Sequence, residues 1–526
     1  MNLAPRAHAP SRPEPATGLC VTIAGVVQGV GFRPFVARTA GTLGVTGRVF
    51  NDAGAVVIEA FGPPRTLAAF VEALRSPPRQ ARIRSLVTYP LGGAPPAGFA
   101  VAPSAATGPR RLSIPADVAT CTACLAELRD PASRRHGYAF VSCVDCGPRL
   151  GILRATPYDR GNTTMASFAR CPACEAEYRA LADRRAHGQA FACPACGPRR
   201  LLLAAGGAAV ERGDPLAAVA RVVAAGGVVA LKGSGGFHLC CNARDEPAVA
   251  RLRGAKHRRV KPFAVMARDL EQAARYAHLA PAEAALLEGP ERPIVLALRG
   301  GQNMAPSVAP GCADVGLMLP YAPLHHLLFE RLAGPLVMTS ANRSGEPTPI
   351  TAAEAVRGGI ADLYLDHDRE IAMRADDSVV RVVAGAPVLI RRGRGHAPRP
   401  IPVSVRFAEP VLATGAFLQN AFAVGIEREV WVGPHVGDLD GIEAWQAWND
   451  TLEAFLGLLG VRPGVIAHDA NPEMPTSRYA RERGARCVAV QHHHAHVAAA
   501  AAEARLEGPF LGLAFDGTGW GADGTA

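Results

Sequence analysis

The residues with the plainest chemical meaning are eight cysteines between positions 121 and 196. They read Cys121-x2-Cys124-x18-Cys143-x2-Cys146-x24-Cys171-x2-Cys174-x18-Cys193-x2-Cys196, four CxxC pairs in a pattern that repeats after 50 residues. Two intervening residues let both sulfurs of a pair reach one tetrahedral ion, and two pairs complete a closed site of four thiolates. A closed site leaves no position for substrate, so the array predicts two structural Zn2+ ions that hold something together. A disulfide ladder or buried free thiols are the alternatives. The halves also match between the pairs: Arg134, Arg135, His136 and Gly137 correspond to Arg184, Arg185, His187 and Gly188. One four-cysteine site per half is the simplest pairing, and the spacing also admits pairing between halves.

Three further groupings could do chemistry. The loop Gln28-Gly29-Val30-Gly31-Phe32-Arg33 lies between a strand-like and a helix-like segment. Backbone N–H groups at a helix start form an anion nest, Arg33 adds a bidentate partner for phosphate, and Asn51 could orient a water. Three basic or hydroxyl-rich clusters end or flank strands: Lys256, Arg258 and Lys261; Thr339-Ser340-Ala341-Asn342; and Arg391-Arg392-Gly393-Arg394-Gly395. Strand ends are where α/β sheets gather ligand groups, and such clusters suit a nucleotide triphosphate. Solvated basic loops are the plainer explanation for any one of them. Finally, His492 and His496 stand at i, i+4, hence on one helix face, and Asp516 at a strand end could complete a metal site.

The elements that must position these groups follow from periodicity and turn chemistry. Residues 19–105 read β-α-β-β-α-β, with a hairpin around Asp52-Ala53-Gly54, which is the ferredoxin-like order. The cysteine module, 106–200, has few apolar anchors and should need metal to fold. Residues 208–400 read as an α/β unit, including a buried strand over Gly227 to Leu231, a helix over Glu246 to Ala255 and a further strand over Leu336 to Ser340. After a Pro-rich linker, 401–526 alternate strands and helices. Strands are expected at Val411 to Thr414, Val465 to Asp469, Cys487 to Gln491 and Leu511 to Phe515, with a helix from about Glu443 to Leu459. The expected fold is therefore multidomain α/β: a ferredoxin-like α+β domain, a double four-cysteine zinc module, an α/β nucleotide domain and part of an actin-like α/β domain.

Composition sets outer bounds. The chain has 526 residues, 49% hydrophobic and 19% charged, as in ordinary globular proteins. The formal charge of +10 invites a nucleic-acid reading, but eight thiolates and two Zn2+ would bring it to about +6, mild for this size. Thirteen cysteines with only the array regularly spaced suit a reducing, cytoplasmic setting. Residues 1–18 lack an apolar core and read as a disordered leader. No run of 18 apolar residues predicts a membrane span.

Four resemblances sharpen these expectations. Val27-Gln28-Gly29-Val30-Gly31-Phe32-Arg33 with Asn51 resembles acylphosphatase, which implies that Arg33 binds an acyl-phosphate and Asn51 positions water. Lys256-His257-Arg258, Lys261-Pro262-Phe263, Thr339-Ser340-Ala341-Asn342 and Ile390-Arg391-Arg392-Gly393-Arg394-Gly395 resemble the YrdC-like domain. That implies binding of ATP with Mg2+ and formation of a carbamoyl-type adenylate by Lys256, Arg258, Lys261, Ser340, Asn342 and Arg391. The segment around His492, His496 and Asp516 resembles a metal-binding transferase domain of tRNA threonylcarbamoyl-adenosine synthesis and of hydrogenase maturation, implying a further metal ion there. The order of all four units resembles the hydrogenase-maturation carbamoyltransferase family HypF, over residues 19 to 526. The resemblance implies carbamoyl phosphate and ATP as substrates, and transfer of the carbamoyl group to the C-terminal cysteine of the partner HypE. The chain stops just after Asp516, where the family runs on, so the last domain is expected to be partial. Two other readings remain open: a threonylcarbamoyl-type tRNA-modifying enzyme, sharing only the last two domains, and a zinc-based nucleic-acid-binding or regulatory protein. The array interleaves few aromatics for base stacking, so nucleic acid is not an expected partner.

Overall fold

The structure, a computed structural model, describes residues 17–52, 54–105, 116–210, 213–517 and 519–525. The expected leader lies outside the described residues, except that Thr17 and Gly18 open the first strand, Thr17–Val26. This strand pairs with Ala55–Gly62 on one side and Arg82–Leu91 on the other. Thr46–Asp52 completes the ferredoxin-like sheet, with helices Phe32–Leu43 and Pro64–Leu74 packed on it. Phe99–Val101 adds a fifth strand at the far edge, parallel to Thr46–Asp52. Val21, Ile23, Val36, Val49, Ile58 and Phe70 are fully buried between sheet and helices.

The cysteine module is built from two similar halves, each with a short helix opening at a cysteine: Thr122–Arg129 after Cys121 and Pro172–Arg179 after Cys171. The pairing is one site per half: Cys121, Cys124, Cys143 and Cys146, then Cys171, Cys174, Cys193 and Cys196. Contacting sulfurs are separated by 3.5 to 3.9 Å in the first group and 3.6 to 3.7 Å in the second. A disulfide requires about 2.05 Å, whereas a tetrahedron of Zn–S bonds of about 2.3 Å has edges of about 3.8 Å. Both clusters therefore fit structural zinc and not a disulfide ladder.

The halves are locked by a reciprocal exchange. Arg134 and Arg135 of the first half reach Glu177 and the Cys174 sulfur of the second. Arg184 and Arg185 of the second reach Glu127 of the first, and Arg184 Nη1 donates to Cys124 Sγ at 2.9 Å. Arg135 and Arg185 are 1% and 2% exposed. They bury cations beside clusters whose four thiolates outweigh one Zn2+ by two charges.

The expectation that this module has little core is corrected by sharing. Val118, Leu128, Tyr138 and Val141 pack with Leu216, Val219, Leu231 and Met338 of the next unit. Leu150, Leu153 and Tyr158 enter the core of the last unit with Trp448, Phe455 and Leu458. The strand Arg200–Ala204, four residues past Cys196, joins the central sheet antiparallel to Leu363–His367.

That central sheet is mixed, not a parallel doubly wound one. Antiparallel neighbours such as Phe237–Asn242 with Leu336–Ser340 alternate with parallel ones such as Ala264–Met266 with Asp314–Met318. The last unit has a six-stranded sheet: Ile401–Pro402, Glu429–Val432 and Ala423–Ile426 run antiparallel onto Val411–Ala413, which continues parallel to Val465–Asp469 and Arg486–Val490. The helix Ile442–Leu459 packs on it through Ala444, Trp448, Leu452, Phe455 and Leu459, a helical stripe closed by Gly460 at φ 66°. The strand expected over Leu511 to Phe515 does not form, and Leu511, Leu513 and Phe515 are 91%, 72% and 97% exposed. The outer strand Arg486–Val490 takes no further partner among the described residues, and an apolar alternation becomes a strand only by pairing. Also among the described residues, no helix is long and apolar enough to cross a membrane.

The clamp predicts a measurable coupling. Glu177→Ala strands the guanidinium of buried Arg135, a change that typically costs about 3–5 kcal/mol. Transfer of zinc from the protein to a chromophoric chelator should accelerate at least ~10-fold, whereas Glu330→Ala, whose partner Arg129 at the end of the first module helix is exposed, should leave the rate within ~2-fold.

Candidate functional sites

The first site surrounds the glycine loop. Gly29 and Gly31 both sit at φ 70°, a left-handed geometry that brings the loop round to the start of the helix Phe32–Leu43. Arg33 is 9% exposed; its Nη1 donates to Ser104 Oγ at 3.3 Å and its Nη2 pairs with Asp159 Oδ1 at 3.0 Å. Asp159 belongs to the cysteine module, a contact the sequence did not announce. The adjoining pocket is walled by the loop on one side and by Val144, Arg149, Tyr158, His187 and Gln189 of the module on the other. Asn51 is fully buried, and neither its Nδ2 nor its Oδ1 has a partner among the described residues. It does not line that pocket. Orphaned buried carboxamide atoms fit a site that holds a water or a ligand oxygen.

The second site gathers the basic clusters. Lys256 is 2% exposed and donates to the carbonyls of Ser340 (2.5 Å) and Asn342, so two of the expected clusters meet at one ammonium. Burial, helped by Arg258, pushes the Lys256 ammonium down to about 7. Burial and the neighbouring Arg391 likewise lower Arg258, to about 10, and burial with Arg391 and Arg258 lowers Lys261. So much desolvated positive charge suits a polyanion chemically: a triphosphate would restore what burial removes.

Two acids stand over this cluster. Asp376 Oδ2 lies 3.6 Å from Arg391 Nη1, and its Oδ1 accepts from Thr348 Oγ1 at 2.9 Å. The same Oδ2 meets Nδ1 of His435 at 3.1 Å, a residue of the last unit. Burial works to raise the Asp376 carboxyl, but His435 and Arg391 outweigh it and hold it well below the usual carboxylate range. Asp377 pairs with Arg394 and His238, which fixes the arm that carries Arg391. The basic cluster thus adjoins the last unit.

The third site lies at the start of the helix His492–Glu503. Asp516 Oδ2 is 2.9 Å from His492 Nε2 and 3.0 Å from His496 Nε2, and the two nitrogens are 3.2 Å apart. Metal bonds of about 2.1 Å at right angles give ligand separations of about 3 Å, so the three atoms fit one ion. Asp469, at the end of the strand Val465–Asp469, meets His492 Nδ1 at 2.7 Å. This outer carboxylate leaves Nε2 of His492 as the nitrogen that would face an ion. Burial opposes protonation of His492, yet Asp469 and Asp516 prevail and raise it.

A ferredoxin-like unit with a glycine loop, paired four-thiolate clusters, a buried basic cluster and a His–His–Asp grouping together mark a multidomain enzyme. Residues 19–101 match the acylphosphatase family, and 120–153 with 171–203 match the HypF finger. Residues 221–393 match the family described as telomere recombination, and 406–503 the HypF Kae1-like domain. Carbamoyltransferase HypF of Rhizobium leguminosarum bv. viciae is 47% identical over 97% of this chain and 67% of its own length. Carbamoyltransferase HypF2 of Cupriavidus necator is 46% identical over 96% of this chain and 66% of its own length. The crystal structure of full-length HypF in a phosphate- and nucleotide-bound form superposes with a TM-score of 0.94 at 38% identity, covering 98% of this chain and 68% of that one. HypF of T. kodakarensis superposes at 0.89 and 37% identity, over 97% of this chain and 66% of that one. This chain belongs to the HypF carbamoyltransferase family, and it spans about two thirds of the length of these relatives.

If Asp469 orients the metal ligand His492, Asp469→Asn should weaken divalent-metal binding at the third site ~10- to 100-fold while leaving zinc at the cysteines in place. Equilibrium dialysis with metal analysis reads both in one sample.

Proposed function

We propose that this chain carries the hydrogenase-maturation relay of its family, with the steps divided among the three sites. At the first, Arg33 and the loop N–H groups hold the phosphoryl group of carbamoyl phosphate. Asn51 positions the attacking water, and the products are phosphate and carbamate. At the second, a carbamate oxygen attacks the α-phosphorus of Mg·ATP, pyrophosphate leaves and carbamoyl adenylate forms. Lys256, Arg258, Lys261 and Arg391 neutralise charge that grows on the phosphates, and Ser340 and Asn342 fix the loop that carries the nucleotide. At the third, His492, His496 and Asp516 would hold a divalent metal, which when bound supplies a Lewis-acidic anchor for anionic oxygens. The acceptor is the C-terminal cysteine thiolate of HypE: its sulfur forms the bond to the carbamoyl carbon and AMP departs.

The observation that carries this reading is the contact of Asp376 with both Arg391 and His435. It joins the nucleotide cluster to the transferase unit, as expected if an adenylate passes between them without release into water. In an assay of AMP and pyrophosphate release, the intact chain should depend on carbamoyl phosphate, and Arg33→Ala should lower that dependence at least ~100-fold. AMP formation undiminished in Arg33→Ala would overturn the order of steps.

The lowered Lys256 ammonium, at about 7, adds a pH signature. Nucleotide phosphates favour its protonated form, so binding takes up a proton at any pH above that value. ATP affinity, measured by calorimetry, should fall as pH rises from 7.5 to 9.5, by up to ~10-fold per unit. Lys256→Gln should flatten the slope.

A further inference from the structure

The glycine loop of the acylphosphatase-like unit does not face open solvent. Arg149 Nε donates to the Gly29 carbonyl at 2.9 Å, and the Tyr158 N–H donates to Gln28 Oε1 at 3.1 Å. A Cβ on Gly29 would stand 3.0 Å from the Tyr158 ring, and one on Gly31 would stand 2.9 Å from Val144 Cγ2. The fit is therefore close along the length of the loop. His187 lines the same pocket, is held at φ 52°, a strained geometry for a residue with a side chain, and accepts at its carbonyl from Gln189 Nε2 at 2.5 Å. Burial and the nearby Arg33 push its imidazole down to about 4, so it faces the pocket neutral at physiological pH. The crevice between loop and module is narrow and partly open, and its tightest part has room for about a water or two.

We propose that the acyl-phosphate site is a composite of two units: the loop supplies the phosphoryl nest, Asp159 of the zinc module is a positioning residue for Arg33, and the wall at Val144, Tyr158 and His187 admits only small acyl groups. The proposal rests on the reading of this loop as an acyl-phosphate site and adds a source of its selectivity. Asp159 fixes one arm of the guanidinium by a charged hydrogen bond and leaves the remaining donors for phosphate. Its charge also opposes the incoming dianion, so it tunes affinity as well as geometry. A carbamoyl or acetyl substituent adds few atoms beyond the phosphoryl group, whereas an aromatic acyl group would collide with the module wall.

The test uses the intact zinc-loaded chain with acetyl phosphate and benzoyl phosphate as substrates and inorganic phosphate as ligand. The wild type should hydrolyse acetyl phosphate with kcat/KM at least ~10-fold above benzoyl phosphate, and His187→Gly, which suits the positive φ, should narrow that ratio several-fold. Asp159→Asn should bind inorganic phosphate about fivefold more tightly, because a like charge is gone, while its kcat falls. Asp159→Glu should restore the wild-type values in part, which a merely structural role would not produce. Equal turnover of the two substrates, or a ratio unmoved by His187→Gly, overturns the size limit. Phosphate affinity unchanged in Asp159→Asn overturns the composite site. If the wild type hydrolyses neither substrate, the acyl-phosphate reading itself fails, and the phosphate titration of Asp159→Asn still decides whether the module forms part of the anion site.

Discussion

The structure depends on one exchange of charge: each half of the cysteine module neutralises the other. Arg134 and Arg135 lie against Glu177 and Cys174, while Arg184 and Arg185 lie against Glu127 and Cys124. A four-thiolate zinc cluster carries net negative charge, and buried guanidinium groups are costly unless paired. Neither half is satisfied alone. The pairing makes two small metal sites into one rigid block, and the other units use that block as their floor. The glycine loop docks on Arg149 and Tyr158, the central sheet gains the strand Arg200–Ala204, and the last unit takes Leu150, Leu153 and Tyr158 into its core.

A second theme is desolvated charge held ready for a ligand. Lys256, Arg258 and Lys261 are all displaced toward their neutral forms by burial and by neighbouring cations. That arrangement is unfavourable in the free protein and favourable once phosphates arrive, which is differential binding by preorganisation. Asp376 and Asp377 temper it from one side through Arg391, Arg394 and His435. A residue from the last unit, His435, thereby shares the charge balance of the basic cluster.

Much of this was legible in the sequence because it was local. The CxxC spacing gives the metal sites, the β-α-β-β-α-β order gives the first unit, and the i, i+4 histidines give one helix face with a third ligand nearby. The pairing of cysteines was open at that level, and the folded chain resolves it as one site per half. What the sequence did not disclose is long-range. Asp159 lies 126 positions from Arg33 and His435 lies 59 from Asp376; no periodicity links them. The repeated Arg pairs were visible, but their acids Glu127 and Glu177 act across halves. The one further mismatch is the apolar alternation at Leu511 to Phe515, which has no strand beside it to pair with among the described residues.

The central claim is that the zinc module sets the geometry of sites that lie outside it. Hydrogen exchange on the intact chain before and after zinc removal tests this most directly. The account predicts that stripping zinc deprotects the backbone of Gln28 to Arg33 and of Arg200–Ala204 together with the module, because their anchors are Arg149, Tyr158 and the shared core. Deprotection confined to residues 116–199, with the loop and strand unchanged, would contradict it.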